Sequence, residues 1–286
     1  MVKRLDDKVM DAFVYVILLL VGLSAIFPLL YVVSVSLTPI TEMIKHGGYI
    51  VIPRSISFDA YRQLLSESEL FNAFKVTIWI TIAGTSTSLL LTTLTAYPLS
   101  RKTLPYRSFF LLVIVFTMLF NGGVIPTYLI VKDTGLLNSV WAMVVPSAIG
   151  AFYVLIMKSF FESLPEELFD SGRIDGAKEV RILLQIVLPL SMPVMATVGL
   201  FYIVGYWNTF FQAIMYVTDQ ELQPIQVLLR RILTVSDLTE FNPEANVPTD
   251  STRMAAVIVS SLPVIIVYPF IQKYFTQGML IGSIKG

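Results

Sequence analysis

The chain has no cysteine in 286 residues, which excludes disulfides and thiolate metal sites. It has one histidine, His46, beside Gly47 and Gly48 in a polar stretch with no second imidazole to share a metal. His46 therefore reads as ordinary loop chemistry, and no metal site is expected. No G-x-x-x-x-G-K-[ST] segment is present, so nothing here cradles a nucleotide's phosphates. The formal net charge is zero, which leaves no global field to attract nucleic acid. Charge itself is scarce, at 14% of residues against about 25% in soluble domains.

What fills the space is apolar: 55% of residues are hydrophobic and the mean hydropathy is +0.75. Run length decides between a large soluble core and a membrane protein, because a helix needs roughly 20 apolar residues to cross the hydrocarbon layer. No Asp, Glu, Lys or Arg interrupts Ala12 to Leu37, Val76 to Ser100, Ser108 to Val131, Thr134 to Met157, Ile182 to Thr218 or Met254 to Gln272. The reading is an all-α polytopic bundle of six transmembrane helices forming a single membrane domain over residues 1–286. The expected spans lie near 12–37, 76–100, 108–131, 136–158, 187–213 and 254–274. The first run is too long for a cleaved signal and lacks a small-residue cleavage site, so it counts as a span.

Basic residues orient the bundle. With the N-terminus cytoplasmic, that side collects twelve of the twenty Lys and Arg and the opposite side eight. Eleven of the twenty acids fall outside, and the tight connection Arg101 to Arg107 carries three basic residues and no acid. Both termini are placed in the cytoplasm. Thr38 to Lys75 and Asp219 to Arg253 are then the long outer segments, the latter broken by Asn242-Pro243 and Val247-Pro248.

Two spans are irregular by composition. Phe109 to Phe120 covers only roughly 18 Å as helix, so the third span must continue through Asn121-Gly122-Gly123 and Pro126 with a kink or break. Such backbone is tolerated at depth only against protein or a wet cavity. The fifth run is too long for one span, and Pro189 with Pro193 marks where it bends into the membrane. In the second, the small residues Gly84, Ser86, Ser88 and Thr92 suit close helix packing.

The one substantial cytoplasmic segment reads SLPEELFDSGRIDGAKEVRILLQIVLPLSMP from Ser163. Ser163 and Glu166 have capping-box spacing, with Pro165 in the first turn. A short helix follows through Glu166, Glu167, Leu168, Phe169 and Asp170; Gly172 and Gly176 break it. Asp175 is then placed to cap a second helix through Ala177, Val180, Leu183 and Leu184. On pattern alone, a solvated hairpin resting on the membrane surface is an equal reading.

The segment resembles the coupling loop of ATP-binding-cassette importer permeases, whose signature is Glu-Ala-Ala, three residues, Gly, nine residues, Ile, any residue, Leu-Pro. Asp170, Ser171 and Gly172 stand at the first three positions, Gly176 at the fourth, and Ile186, Leu188 and Pro189 at the end. The departure is Asp-Ser-Gly for Glu-Ala-Ala. Further stretches look like the carbohydrate (maltose-type) permeases: Ala96 to Arg101, Phe120 to Tyr128, Gly205 to Asn208, and Gln272 to Gly286. The likeness is nearest to a branch handling larger oligosaccharides, including acidic ones such as alginate.

The resemblance implies a transport subunit of the bacterial cytoplasmic (inner) membrane that is not itself an enzyme and has no cofactor of its own, ATP and magnesium belonging to a partner. It implies a second, different permease, an ATPase dimer, an extracellular or periplasmic solute-binding protein and an oligosaccharide substrate, with lipid around the spans. It also implies a helix-turn-helix coupling loop over about residues 159–186. There Ser171, Gly172, Gly176 and Ala177 allow close approach to the ATPase, Leu168, Phe169 and Ile174 supply apolar surface, and Glu166, Glu167, Asp170 and Asp175 set registry. Sugars suit aromatic faces and amides, which singles out Asn121, Tyr128, Tyr206, Trp207, Asn208 and Gln212 for the solute path; helix–helix bonding is the competing role for each. The tail from Gly278 to Gly286 either reaches the ATPases or frays. A permease for another solute class stays open. An ion-driven transporter would favour ionisable residues within spans, and a membrane enzyme would need paired carboxylates or clustered histidines at depth. The six runs contain neither. A scaffold subunit without a solute path is the remaining alternative.

Overall fold

A computed structural model describes residues 5–45, 50–234 and 249–283, and every described element is helical. His46, the two Pro-containing pairs of the last outer segment, and the final three residues lie outside these. The order begins with α1 (Leu5–Ser36), α2 (Ile40–Lys45), α3 (Asp59–Ser66) and the long α4 (Ser68–Ser100). Next come α5 (Arg107–Leu119), α6 (Val124–Asp133), 3-10 turns at Val140–Met143 and Val145–Ser147, and α7 (Ala151–Glu162). After these, α8 (Glu167–Ile174), α9 (Glu179–Ile182), a π-helical stretch Leu183–Val187 and α10 (Leu188–Leu190) lead into α11 (Met192–Trp207). The chain finishes with α12 (Phe211–Tyr216), α13 (Ile225–Thr234) and α14 (Asp250–Ser283).

Three helical stretches are long and apolar enough to cross a membrane unaided: Phe13–Ser36, Ser68–Ser100 and Asp250–Val267. Three more qualify only as bent pairs: α5 with α6 at 113°, the 3-10 turns with α7 at 53°, and the Glu179–Leu190 stretch with α11 at 82°. Local chemistry explains two of the bends. At α5–α6, Asn121 Oδ1 accepts from the Gly123 amide at 2.8 Å, and Gly123 takes φ of +88°, which glycine adopts without strain. The break expected there is therefore a sharp turn of 113°. At the other, Ser191 sits between Pro189 and Pro193, whose missing amides cannot continue the helical ladder.

The chain divides into two compact units. The first, Met1–Leu70 with Leu229–Leu262, packs Val35, Met43 and Ile50 against Tyr31 and Met254. Ser251 Oγ donates to the Thr38 carbonyl at 2.7 Å, and Arg231 pairs with Glu69. Most of α1 is exposed apolar surface, as a lipid-facing helix requires. The second unit, Phe71–Leu228 with Pro263–Gly286, holds the larger core around Phe161, Phe169, Ile182, Val187 and Val198. Within it three of the four small residues expected to pack, Gly84, Ser88 and Thr92, meet α11, whereas Ser86 lies on the opposite, exposed side of α4. Ser88 Oγ meets Tyr206 Oη at 2.8 Å, and Thr92 Oγ1 meets Tyr202 Oη at 2.8 Å. A Cβ on Gly84 would come within 2.8 Å of three Tyr206 ring atoms, so only glycine lets that ring lie there.

Candidate functional site: a latched hairpin and an aromatic cavity

The α8–α9 hairpin closes on its backbone. The Gly176 amide donates to Arg173 O at 3.0 Å and the Ala177 amide to Gly172 O at 2.9 Å, the paired bonds of a Schellman turn with Gly176 at φ of +78°. Nothing lies within 4 Å of a Cβ built there, so the demand on Gly176 is torsional. This corrects three local expectations. Asp175 is the C-terminal cap of α8; the next helix starts at Glu179 after Lys178. Gly172 lies inside α8 and does not break it; a Cβ there would stand 3.0 Å from Ile186 and 3.4 Å from Ile182, so its absence permits close packing. Ser163 ends α7, its hydroxyl bonding back to Phe160 O at 2.7 Å, and no Ser163–Glu166 box forms because α7 runs on to Glu162.

One face of the hairpin is latched to the end of α4. The Arg101 guanidinium lies 3.7 Å over the Phe169 ring and donates to Phe161 O at 3.1 Å. Burial lowers the pKa of Arg101, while Tyr97, Glu166 and Glu179 act to raise it. The Tyr97 hydroxyl donates to Glu179 Oε2 at 2.6 Å; Arg173 bonds Glu179 at 3.0 Å and Asp170 at 3.2 Å. The Tyr97 bond, with Arg173 behind it, holds the Glu179 carboxyl below the usual carboxylate range against partial burial. Phe169 is thus buried as the anchor and not offered outward, and Asp170 is already paired. Leu168 is half-buried, Ala177 likewise, and Glu166, Glu167, Ser171 and Asp175 are exposed. The outward apolar side consists of Ile174, 86% exposed, with Val180 and Leu184.

The solute-path candidates do not converge. Tyr206 and Gln212 line one cavity of about 180 Å³, together with Ser147, Tyr153, Phe201 and Tyr202. Trp207 is buried, tilted against Phe74, and edges a separate apolar cavity of about 250 Å³ with Ile78 and Val264. Tyr128 stacks on Tyr216; Asn121 serves its own turn; Asn208 is exposed and caps α11 by bonding Val204 O at 2.8 Å. Sequence reasoning missed Tyr153 and Tyr202. The four-residue spacing of Tyr202 and Tyr206 on one helix face was a usable signal.

A family model described as the binding-protein-dependent transport system inner membrane component matches residues 102–281, which contain the whole hairpin. The chain belongs to that family. It is 42% identical over 99% of its length to the polygalacturonan/rhamnogalacturonan transport system permease protein YtcP of Bacillus subtilis (strain 168), covering all of that protein. Protein LplC of the same organism is 42% identical over 93% of this chain and 91% of its own. A crystal structure of a bacterial ABC transporter involved in importing the acidic polysaccharide alginate contains a chain 30% identical to this one. The two superpose with a TM-score of 0.87 over 96% of this chain and 99% of the other. As an inner membrane component, this all-α chain is a multi-pass permease subunit of a transport system.

Proposed function

We propose that the chain is one of two permease halves of an ATP-driven importer that passes an oligosaccharide across the cytoplasmic membrane. A solute-binding protein delivers the sugar, a second and different permease completes the pathway, and an ATPase dimer carrying ATP and magnesium supplies the energy. Both termini face the cytoplasm, and the spans follow the six charge-free runs. Relatives named for polygalacturonan and alginate transport support an acidic saccharide as the solute.

The observation that carries the reading is the hairpin. Its inner face is fixed to the end of α4 by Arg101 and Tyr97, while Ile174, Val180 and Leu184 are exposed among the described residues. A stiff element with one bonded face and one bare apolar face is suited to dock in a groove and to transmit its movement to α4. Docking alone drives nothing; contacts must differ between the ATPases' open and closed states. Because Ile174 contributes little to its own fold, Ile174→Asp is expected to leave the subunit stable yet lose the ATPase on co-purification and abolish uptake. Full retention of both would sink the docking assignment.

A further inference from the structure

The cavity of the second unit has two kinds of polar group on its wall. Tyr202 Oη is engaged by Thr92 and by the Gly150 amide at 3.1 Å, and Tyr206 Oη by Ser88 and, at 3.4 Å, by Val144 O. Those hydroxyls are committed to the fold. The Tyr153 hydroxyl and the Gln212 carboxamide have no hydrogen-bond partner among the described residues, although both side chains are half-buried. Neither group is sealed from water, so both keep their full bonding capacity for a ligand that enters the cavity.

The remaining wall is aromatic. Tyr153 stacks on Phe201 with ring centroids 5.7 Å apart and planes within 13°, and Tyr202 meets Tyr153 edge-on at 4.7 Å. A ligand with C–H groups on its faces and hydroxyls on its rim meets both demands. We infer that this cavity is a subsite for one pyranose ring of the solute, with the Tyr153 hydroxyl and the Gln212 amide bonding its hydroxyls. The inference rests on the saccharide reading above. Drug-sized ligands fill roughly 300–1,000 Å³, so a cavity of about 180 Å³ takes one ring of a chain and not several. Its lining carries no side chain charged at neutral pH, so a uronate ring enters with its carboxylate turned to the open side.

Because this chain has no cysteine, one placed in it is the subunit's single labelling site. Gln212→Cys, Tyr153→Phe and, as an exposed control, Asp133→Cys are placed in the complete transporter, reconstituted in vesicles with its ATPase and binding protein. Galacturonan and galacto-oligosaccharides serve as acidic and neutral probes, with uptake and methanethiosulfonate labelling read in the same preparation. The transported sugar should slow labelling at position 212 severalfold and leave position 133 unchanged. Tyr153→Phe, which keeps the ring and removes a hydroxyl the fold does not use, should raise the KM for uptake about tenfold. Normal uptake with unprotected labelling and an unchanged KM overturns the subsite while the permease reading stands. Failure of the unaltered complex to take up any saccharide, with no protection, overturns both.

Discussion

The two halves of α4 are held to the rest of their unit by different chemistry. At its C-terminal end the grip is ionic and aromatic: Arg101 over Phe169, and Tyr97 on a carboxylate that Arg173 also holds. Two to three turns back it is neutral, with Ser88 and Thr92 bonded to two tyrosine hydroxyls and a bare glycine beneath a ring. Solvent accounts for the difference. Charge-assisted bonds are roughly twice as strong as neutral ones, but an ion at bilayer depth costs several kcal/mol, so only hydroxyl pairs can be placed there cheaply. The strong, titratable hold therefore lies at the aqueous end, beside the hairpin, and the weak, pH-insensitive hold lies beside the cavity.

That contrast can be broken first at Arg101. Arg101→Ala removes the ring stack and leaves the Phe161 carbonyl unmet, for an expected loss of about 3 kcal/mol, measured by denaturant unfolding of the purified complex. Arg101→Lys should recover less than half, since an ammonium lacks the planar fork. At the neutral end, Gly84→Val is expected to cost about 2 kcal/mol by displacing the Tyr206 ring.

A smaller effect separates the two ends by pH. Because the fold lowers the pKa of Glu179, its contribution is complete above the unfolded carboxylate value, about 4.3, and is lost as pH falls through the lower folded value. Amide exchange in α9 should quicken a few-fold in that acid window, and Glu179→Gln should flatten the profile while exchange near Ser88 stays indifferent. The smallest change is Ser88→Ala, below about 1 kcal/mol in the same unfolding assay. Tyr206 keeps the Val144 carbonyl as an alternative acceptor.

Much of this is legible in the sequence. Charge-free runs marked the helical stretches, Asn121-Gly122-Gly123 and the Pro189/Pro193 pair marked two breaks, and three of four small residues marked the packing face of α4, Ser86 being exposed. Those features are local: a missing amide or a missing Cβ acts wherever it sits. What could not be read was which partner a residue finds. Asp175 has good capping chemistry, yet the glycine after it closes the turn on backbone bonds first. Gly172 reads as a helix breaker until Ile182 and Ile186 arrive from 10 and 14 residues away to claim the space. Phe169 reads as docking surface until Arg101, distant in sequence, covers it. Tyr153 gains meaning only when its neighbours' hydroxyls are seen to be occupied.

The absence of Asp, Glu, Lys and Arg from Val76 to Ser100, and from the five runs like it, has an electrical consequence. A transmembrane voltage exerts about 2.3 kcal/mol per elementary charge per 100 mV, and helices without formal charge give it nothing to pull on. Were those runs to shift during transport, they would carry no formally charged side chain through the field, and voltage dependence arising within them would report the charge on the cargo.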